Sequence, residues 1–285
     1  MRTTLFLFLL TLTASAFAVE APTQVKEPTT GKDGIINYPV ISPYQAGENA
    51  VEVLLPDNLD PAKRYPVIYF LPVNDGIDGP WGSGIQEAKR FNLHNRHQVI
   101  CVSPEYNYTP WFGDHPTEPT LRQESHLIHS VIPMIEERYP VIKGKDGRML
   151  LGFSKSGFGA ITILLRNLDV IGKAVSWDSP LTSTAIFKGE EEMVRVFETD
   201  ENFAHYSIPG LIDKQAKVLA VGPPRIYLIS SGPRPTGSAK ILHDKLTGLG
   251  IAHGFKVDKA RQHTWTSEWV PVAVDVLFES ETKKD

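Results

Sequence analysis

The sequence predicts an α/β fold built on a mainly parallel central sheet flanked by helices. Three observations predict it. Apolar runs of strand length alternate along the chain with helical stretches of about 10–15 residues, the pattern of βαβ units. The run Tyr65-Pro66-Val67-Ile68-Tyr69-Phe70-Leu71 is almost continuously apolar, as in a strand covered on both faces. Finally, the 285 residues, 41% of them hydrophobic, suffice for a substantial core, and neither a repeat nor a linker divides the body. The 22% charged residues and net charge of −4 leave no electrostatic footprint for nucleic acid. One cysteine excludes an internal disulfide and a thiolate metal cluster.

The chain opens on MRTTLFLFLLTLTASAFA, in which Arg2 precedes an apolar run and Ala16-Phe17-Ala18 forms a small-x-small cleavage site. Residues 1–18 are therefore expected to be a signal peptide cleaved near Ala18, which makes the protein secreted or periplasmic. Residues 19–49 form an N-terminal lead-in and edge strand, and residues 50–280 the domain that carries the chemistry. Ala50 to Leu55 alternates in part and is expected at a sheet edge, separated from the buried strand by the turn Pro56-Asp57-Asn58-Leu59-Asp60-Pro61. A polar helix around 84–95 leads to a strand at 98–102, where Cys101 reads as a small buried hydrophobe. Leu121, Leu127, Ile128, Val131, Ile132, Ile135 and Tyr139 carry helix periodicity up to Pro140. Strands follow at 149–152, 174–177, 225–230 and 253–257. Between and after them come helices at 157–168, 238–249 (closed by Gly250) and 265–278. Residues 183–215 read as a polar insertion over the sheet edge.

The chemistry lies in Leu151-Gly152-Phe153-Ser154-Lys155-Ser156-Gly157-Phe158-Gly159-Ala160. A strand runs straight into an apolar helix through a turn of small residues with Ser154 at its apex. Such a turn exposes a hydroxyl nucleophile at a helix N-terminus, which favours developing negative charge. A hydroxyl needs a base, and His263 in Ala260-Arg261-Gln262-His263-Thr264-Trp265 is the histidine placed after the last strand and before the last helix. His253 opens that strand and reads as a strand-edge residue. The loop after the strand ending near Ser230 contains no carboxylate, so the acid is assigned to Asp178, at the end of the preceding strand. Strand C-termini of a parallel sheet open on one crevice, so a carboxylate there reaches the same imidazole. Glu268 and Asp244 are lesser candidates.

Backbone N–H groups of Lys155 and of Val73 or Asn74 would hold an oxyanion, since Pro72 has none to offer. Trp81, Glu105 and Trp111 are expected to bind substrate at the mouth, with Asp114 and His115 beside them. His126 and His129 share a helix face, but no third ligand stands at metal-site spacing, and the glycine-rich stretch 76–82 lacks phosphate-loop spacing. No metal or organic cofactor is expected.

On Arg64-Tyr65-Pro66-Val67-Ile68-Tyr69, Trp111, the segment Leu151 to Ala160 and His263-Thr264-Trp265, the chain from Ala50 to Phe278 resembles the "putative esterase" (esterase D-like) family. That family includes secreted feruloyl and acetyl-xylan esterases, S-formylglutathione hydrolases and mycolyltransferases. The resemblance implies the α/β-hydrolase fold and carries over Ser154 and His263. It differs at Pro72-Val73, where members usually have His-Gly, at Lys155-Ser156, where they have Met-Gly, and in lacking an acid after the penultimate strand. The expectation is a serine carboxylic-ester hydrolase acting through an acyl-enzyme on a small-molecule or carbohydrate-linked ester, such as a feruloyl or acetyl ester. A hydrolase-fold binding protein without turnover, and an acyltransferase using the same Ser/His pair, remain the alternatives. No nucleic-acid partner and no membrane span in the mature chain are expected, and the oligomeric state is left open.

Overall fold

The computed structural model describes residues 21–74, 79–231 and 233–279, without the side chains of 233–237. The N-terminal leader read as a signal peptide lies outside the described residues. Ten strands form one sheet: β1 (Gln24–Val25), β2 (Thr29–Thr30), β3 (Ile36–Ile41), β4 (Glu48–Leu54), β5 (Val67–Leu71), β6 (Ile100–Pro104), β7 (Arg148–Phe153), β8 (Lys173–Trp177), β9 (Ile226–Ser230) and β10 (Gly254–Val257). Their order is β1-β3-β4-β6-β5-β7-β8-β9-β10, with β2 paired to β3. β5 through β10 run parallel, and β4 joins β6 antiparallel.

The fully buried patterns of β5, β6 and β9 follow from cover on both faces. One face packs against the elbow helix Lys155–Arg166 and the helical stretch Gln123 to Arg138, the other against Gly84–Arg90 and the final helix Trp269–Phe278. Cys101 is buried in β6, its thiol pushed well above the usual range by burial. Among the described residues no helix is long and apolar enough to cross a membrane.

Three expectations are corrected. The strand at Ala50–Leu55 is interior, between β3 and β6, because the lead-in folds back as β3 and covers the edge that its partial alternation suggested. Residues 183–215 do not sit over an edge. Their helices Glu191–Phe197, Asp200–Ala204 and Ile208–Leu219 bury Met193, Phe197, Phe203 and Ile212 in the core, and Phe203 stacks on Phe158 of the elbow helix at 6.0 Å. Periodicity counted these residues as polar because only one stripe of each short helix is apolar. The last helix starts at Trp269, not 265, since Glu268 adopts φ 66°, a left-handed conformation that no regular helix continues.

Candidate active site

Ser154 sits where β7 meets the elbow helix, with φ 55° and ψ −126°, a strained conformation held from several sides. Its N–H donates to Trp177 O on β8 at 2.9 Å, and its carbonyl accepts from the N–H groups of Gly157 and Phe158. A Cβ at position 152 would lie 2.1 Å from Ser156 O, so only glycine lets the strand pass the helix start. Ser156, standing where glycine is usual, contributes to the turn: its hydroxyl accepts from Phe153 N–H at 2.9 Å and donates to Phe153 O at 2.8 Å.

His263 comes from the loop between β10 and the last helix. Its Nε2 lies 3.2 Å from Ser154 Oγ, and its Nδ1 lies 3.5 Å from Asp178 Oδ2. Accepting from Ser154 at Nε2 and donating to Asp178 at Nδ1 define a single neutral tautomer. The loop is fixed by Thr264 Oγ1 and the Trp265 N–H, which both donate to Trp81 O, and by Trp269 Nε1 donating to Thr264 O. Beneath it Trp265 and Trp177 each stack on Trp269 at 5.0 Å, and the Phe153 ring lies 4.5 Å from the imidazole. Trp265 belongs to this loop, Trp269 opens the helix that follows it and Trp177 ends β8, so the loop rests on packed aromatic rings.

Asp178 ends β8 with φ 46°, and its side chain is fully buried. Burial alone would raise its carboxyl. Hydrogen bonds from His263 and from the hydroxyl and N–H of Ser231 outweigh that and hold it below the usual carboxylate range. The loop after β9 thus supplies, in place of an acid, the donors that hold the acid of β8. Sequence reasoning missed Ser231; the only signal was a Ser230-Ser231 pair closing a buried strand.

Ser154 stands between two cavities. One, of about 370 Å³, is lined by Val73, Trp81, Trp111, Phe153, Lys155, Phe187, Glu190 and His263. The other, of about 470 Å³, is lined by Asp178, Ser179, Pro180, Thr182, Ser183, Phe187 and Ser238. Trp81 is 45% exposed and meets the imidazole edge-on at 6.1 Å, while Trp111 is buried with Lys155 Nζ 5.8 Å from its ring. Lys155 Nζ also donates to Glu192 at 2.5 Å, tying the inserted segment to the residue after the nucleophile. Phe187, Glu190 and Glu192 were not anticipated, because their segment reaches the site only through tertiary packing. A larger cavity, about 590 Å³, opens among Lys145, Lys173, Lys217 and Arg225 at the N-terminal ends of the strands, away from Ser154.

Val73 and Lys155 line the first cavity together with Ser154. Asn74 does not line it; a Cβ at Gly79 would lie 1.8 Å from Asn74 Nδ2, so that side chain packs on its own loop. Glu105 lines neither cavity: its carboxylate accepts from Ala50 N–H at 2.7 Å, joining β6 to β4. Asp114 and His115 likewise turn away, Asp114 accepting from Ser125 N–H and His115 Nδ1 from Glu118 N–H. The backbone N–H groups of Ala50, Ser125 and Glu118 needed acceptors, a demand that sequence position does not reveal. Asp244 pairs with Lys240 on an exposed helix face, and Glu268 stands immediately before the last helix without a side-chain capping bond. His253 Nε2 lies 2.8 Å from His243 Nδ1, away from the triad. Among the described residues no three His, Cys, Asp or Glu gather as a metal site.

A family model described as "Putative esterase" matches residues 42–217. Over 138 residues the chain is 28% identical to Esterase Rv1288 of Mycobacterium tuberculosis, covering 46% of this chain but only 29% of that protein. Among solved structures it is similar to a ferulic acid esterase (16% identity, TM-score 0.66, covering 90% of this chain and 96% of that one). It is also similar to an S-formylglutathione hydrolase from Agrobacterium tumefaciens (14% identity, TM-score 0.68, 90% and 97%). At such identities these structures establish the α/β-hydrolase fold.

Proposed function

The chain belongs to the putative-esterase family, and within it we propose a secreted serine carboxylic-ester hydrolase that works through an acyl-enzyme. The observation that carries the reading is one imidazole bridging Ser154 Oγ at 3.2 Å and the buried Asp178 carboxylate at 3.5 Å, at the N-terminus of the elbow helix.

Ser154 Oγ attacks the ester carbonyl while His263 Nε2 takes its proton. Asp178 holds the imidazole in the tautomer that can accept and then stabilises the imidazolium. The carbonyl oxygen, now anionic, receives the N–H groups of Lys155 and Val73; losing one such donor typically costs about 10²–10³ in turnover. Collapse of the tetrahedral intermediate breaks the bond to the alcohol, which leaves with the proton from Nε2. Water then attacks the acyl-enzyme, giving its proton to Nε2, and the acid departs as Ser154 recovers its hydrogen. Catalytic hydrogen bonds are often long without substrate and tighten in the complex, which suits the 3.5 Å separation.

The two cavities suggest how an ester is divided. Trp81, Trp111, Phe153 and Phe187 suit a flat apolar acyl group, while the hydroxyls of Thr182, Ser183 and Ser238 suit a polyol or sugar alcohol. The preferred substrate class is therefore an aromatic acyl ester of a carbohydrate. The test uses Ser154→Ala, expected to abolish both p-nitrophenyl acetate hydrolysis and covalent labelling by a fluorophosphonate. Labelling retained in that variant would remove Ser154 from the mechanism. Product analysis with an added sugar acceptor separates hydrolysis from acyl transfer.

A further inference from the structure

We propose that Ser231 is the positioning residue of the relay, clamping both oxygens of Asp178 so that Oδ2 faces His263. This rests on the assignment of Ser154, His263 and Asp178 above. β8 and β9 run parallel with Trp177 opposite Ile229, so Asp178 follows β8 beside Ser230, one residue short of Ser231, where β9 has just ended. The Asp178 N–H donates to Ile229 O at 3.0 Å, which locks the two strand ends together. Across that junction Ser231 N–H donates to Oδ1 at 2.6 Å and the Ser231 hydroxyl donates to Oδ2. A carboxylate on a short side chain is otherwise free to rotate about its last bond. Two donors from one residue, one on each oxygen, remove that freedom.

The arrangement has a consequence that mere structural support lacks. Oδ2 is shared: the Ser231 hydroxyl and His263 Nδ1 address the same oxygen. The hydroxyl holds that oxygen in the direction of the imidazole. Removing it frees the carboxylate to turn, so the imidazole loses its alignment with Ser154, while Ser231 itself lines neither cavity. kcat must then fall with KM unchanged.

The experiment compares Ser231→Ala, Ser231→Thr, Asp178→Ser and the inversion Asp178→Ser/Ser231→Asp by kcat and KM for p-nitrophenyl acetate. Ser231→Ala is expected to lower kcat about tenfold with KM within about twofold of wild type, and Ser231→Thr, which keeps the hydroxyl, to keep both near wild type. Asp178→Ser alone should lose about 10³–10⁴ in kcat. The inversion, which carries the carboxylate to the neighbouring strand end and leaves a hydroxyl in its place, should recover at least about tenfold of that. A wild-type kcat in a folded Ser231→Ala, or a loss that Ser231→Thr does not rescue, overturns the proposal, as a structural contact would cost stability alone. If Ser231→Ala does not fold, the inversion decides, and activity no higher than that of Asp178→Ser overturns it. Full turnover in Asp178→Ser refutes the acid itself, a separate failure that leaves position 231 unchanged in the same protein.

Discussion

His126 offers the sharpest physical test of this core. It begins the π-helical turn His126–Val131, is wholly buried, and presents its ring edge-on to Tyr106 at 5.5 Å. Among the described residues neither ring nitrogen has a hydrogen-bond partner. Burial pushes the imidazole down to about 3. An unfolded histidine titrates near 6.5, so below that pH the unfolded chain binds a proton that the folded one refuses. The stability held by neutral His126 is thus complete above pH 6.5 and is lost as the pH falls toward 3. The loss approaches about 1.4 kcal/mol per pH unit, or roughly 2 kcal/mol between pH 7 and pH 5. His126→Phe keeps a ring against Tyr106 and has nothing to protonate. Urea denaturation followed by tryptophan fluorescence, at pH 7 and pH 5, should give the variant a pH-dependent loss smaller than wild type by roughly 2 kcal/mol. Packing changes act equally at both pH values, so they cancel in this difference. An identical loss in variant and wild type would refute the reasoning.

Two further substitutions test the site's framework. Gly157→Ala places a Cβ 1.9 Å from Ser179 Oγ and 2.7 Å from Ser176 Oγ, whose hydroxyls bond to each other beneath Asp178. It should cost about 1–3 kcal/mol in denaturation and depress turnover with it, and wild-type values for both would show that this contact has room to relax. Trp81→Ala removes the ring beside His263 but keeps the carbonyl that holds the loop. Its kcat/KM should fall about tenfold more for an aromatic acyl ester than for an acetyl ester, the worth of about 1.4 kcal/mol of ring contact. Equal losses on both esters would place the acyl group elsewhere.

What the sequence disclosed depends on how local each cause was. The elbow was legible because Gly152, Ser154 and Gly157 meet its steric demands within six consecutive residues, and Ser156 fits once its hydroxyl is seen to bond both polar groups of Phe153. His263 followed from chain order alone. Glu105, Asp114 and His115 were misplaced because proximity to the mouth in sequence says nothing about which backbone donors a side chain must satisfy. The inserted segment hid its role for another reason. Phe187, Phe197 and Phe203 are spaced too far apart to show periodicity; Phe197 and Phe203 pack into the core with Phe158, and only Phe187 reaches the cavity beside Ser154.

The acid's position shows why the geometry of a parallel sheet, more than motif spacing, governs such a site. Adjacent strands end about 4.8 Å apart, less than the reach of two short polar side chains facing each other. The imidazole loop stands above both ends, so the carboxylate can be donated from β8 or β9, provided the other strand supplies donors for the oxygens the imidazole leaves free. Asp178 and Ser231 meet that condition from opposite sides, with the Asp178 N–H on Ile229 O fixing the distance between them. Exchanging the carboxylate and hydroxyl therefore preserves the number of donors and acceptors at the junction, whereas substituting either residue alone leaves one of them unmatched. This asymmetry predicts that loss of the acid alone is far more damaging than its transfer to the neighbouring strand.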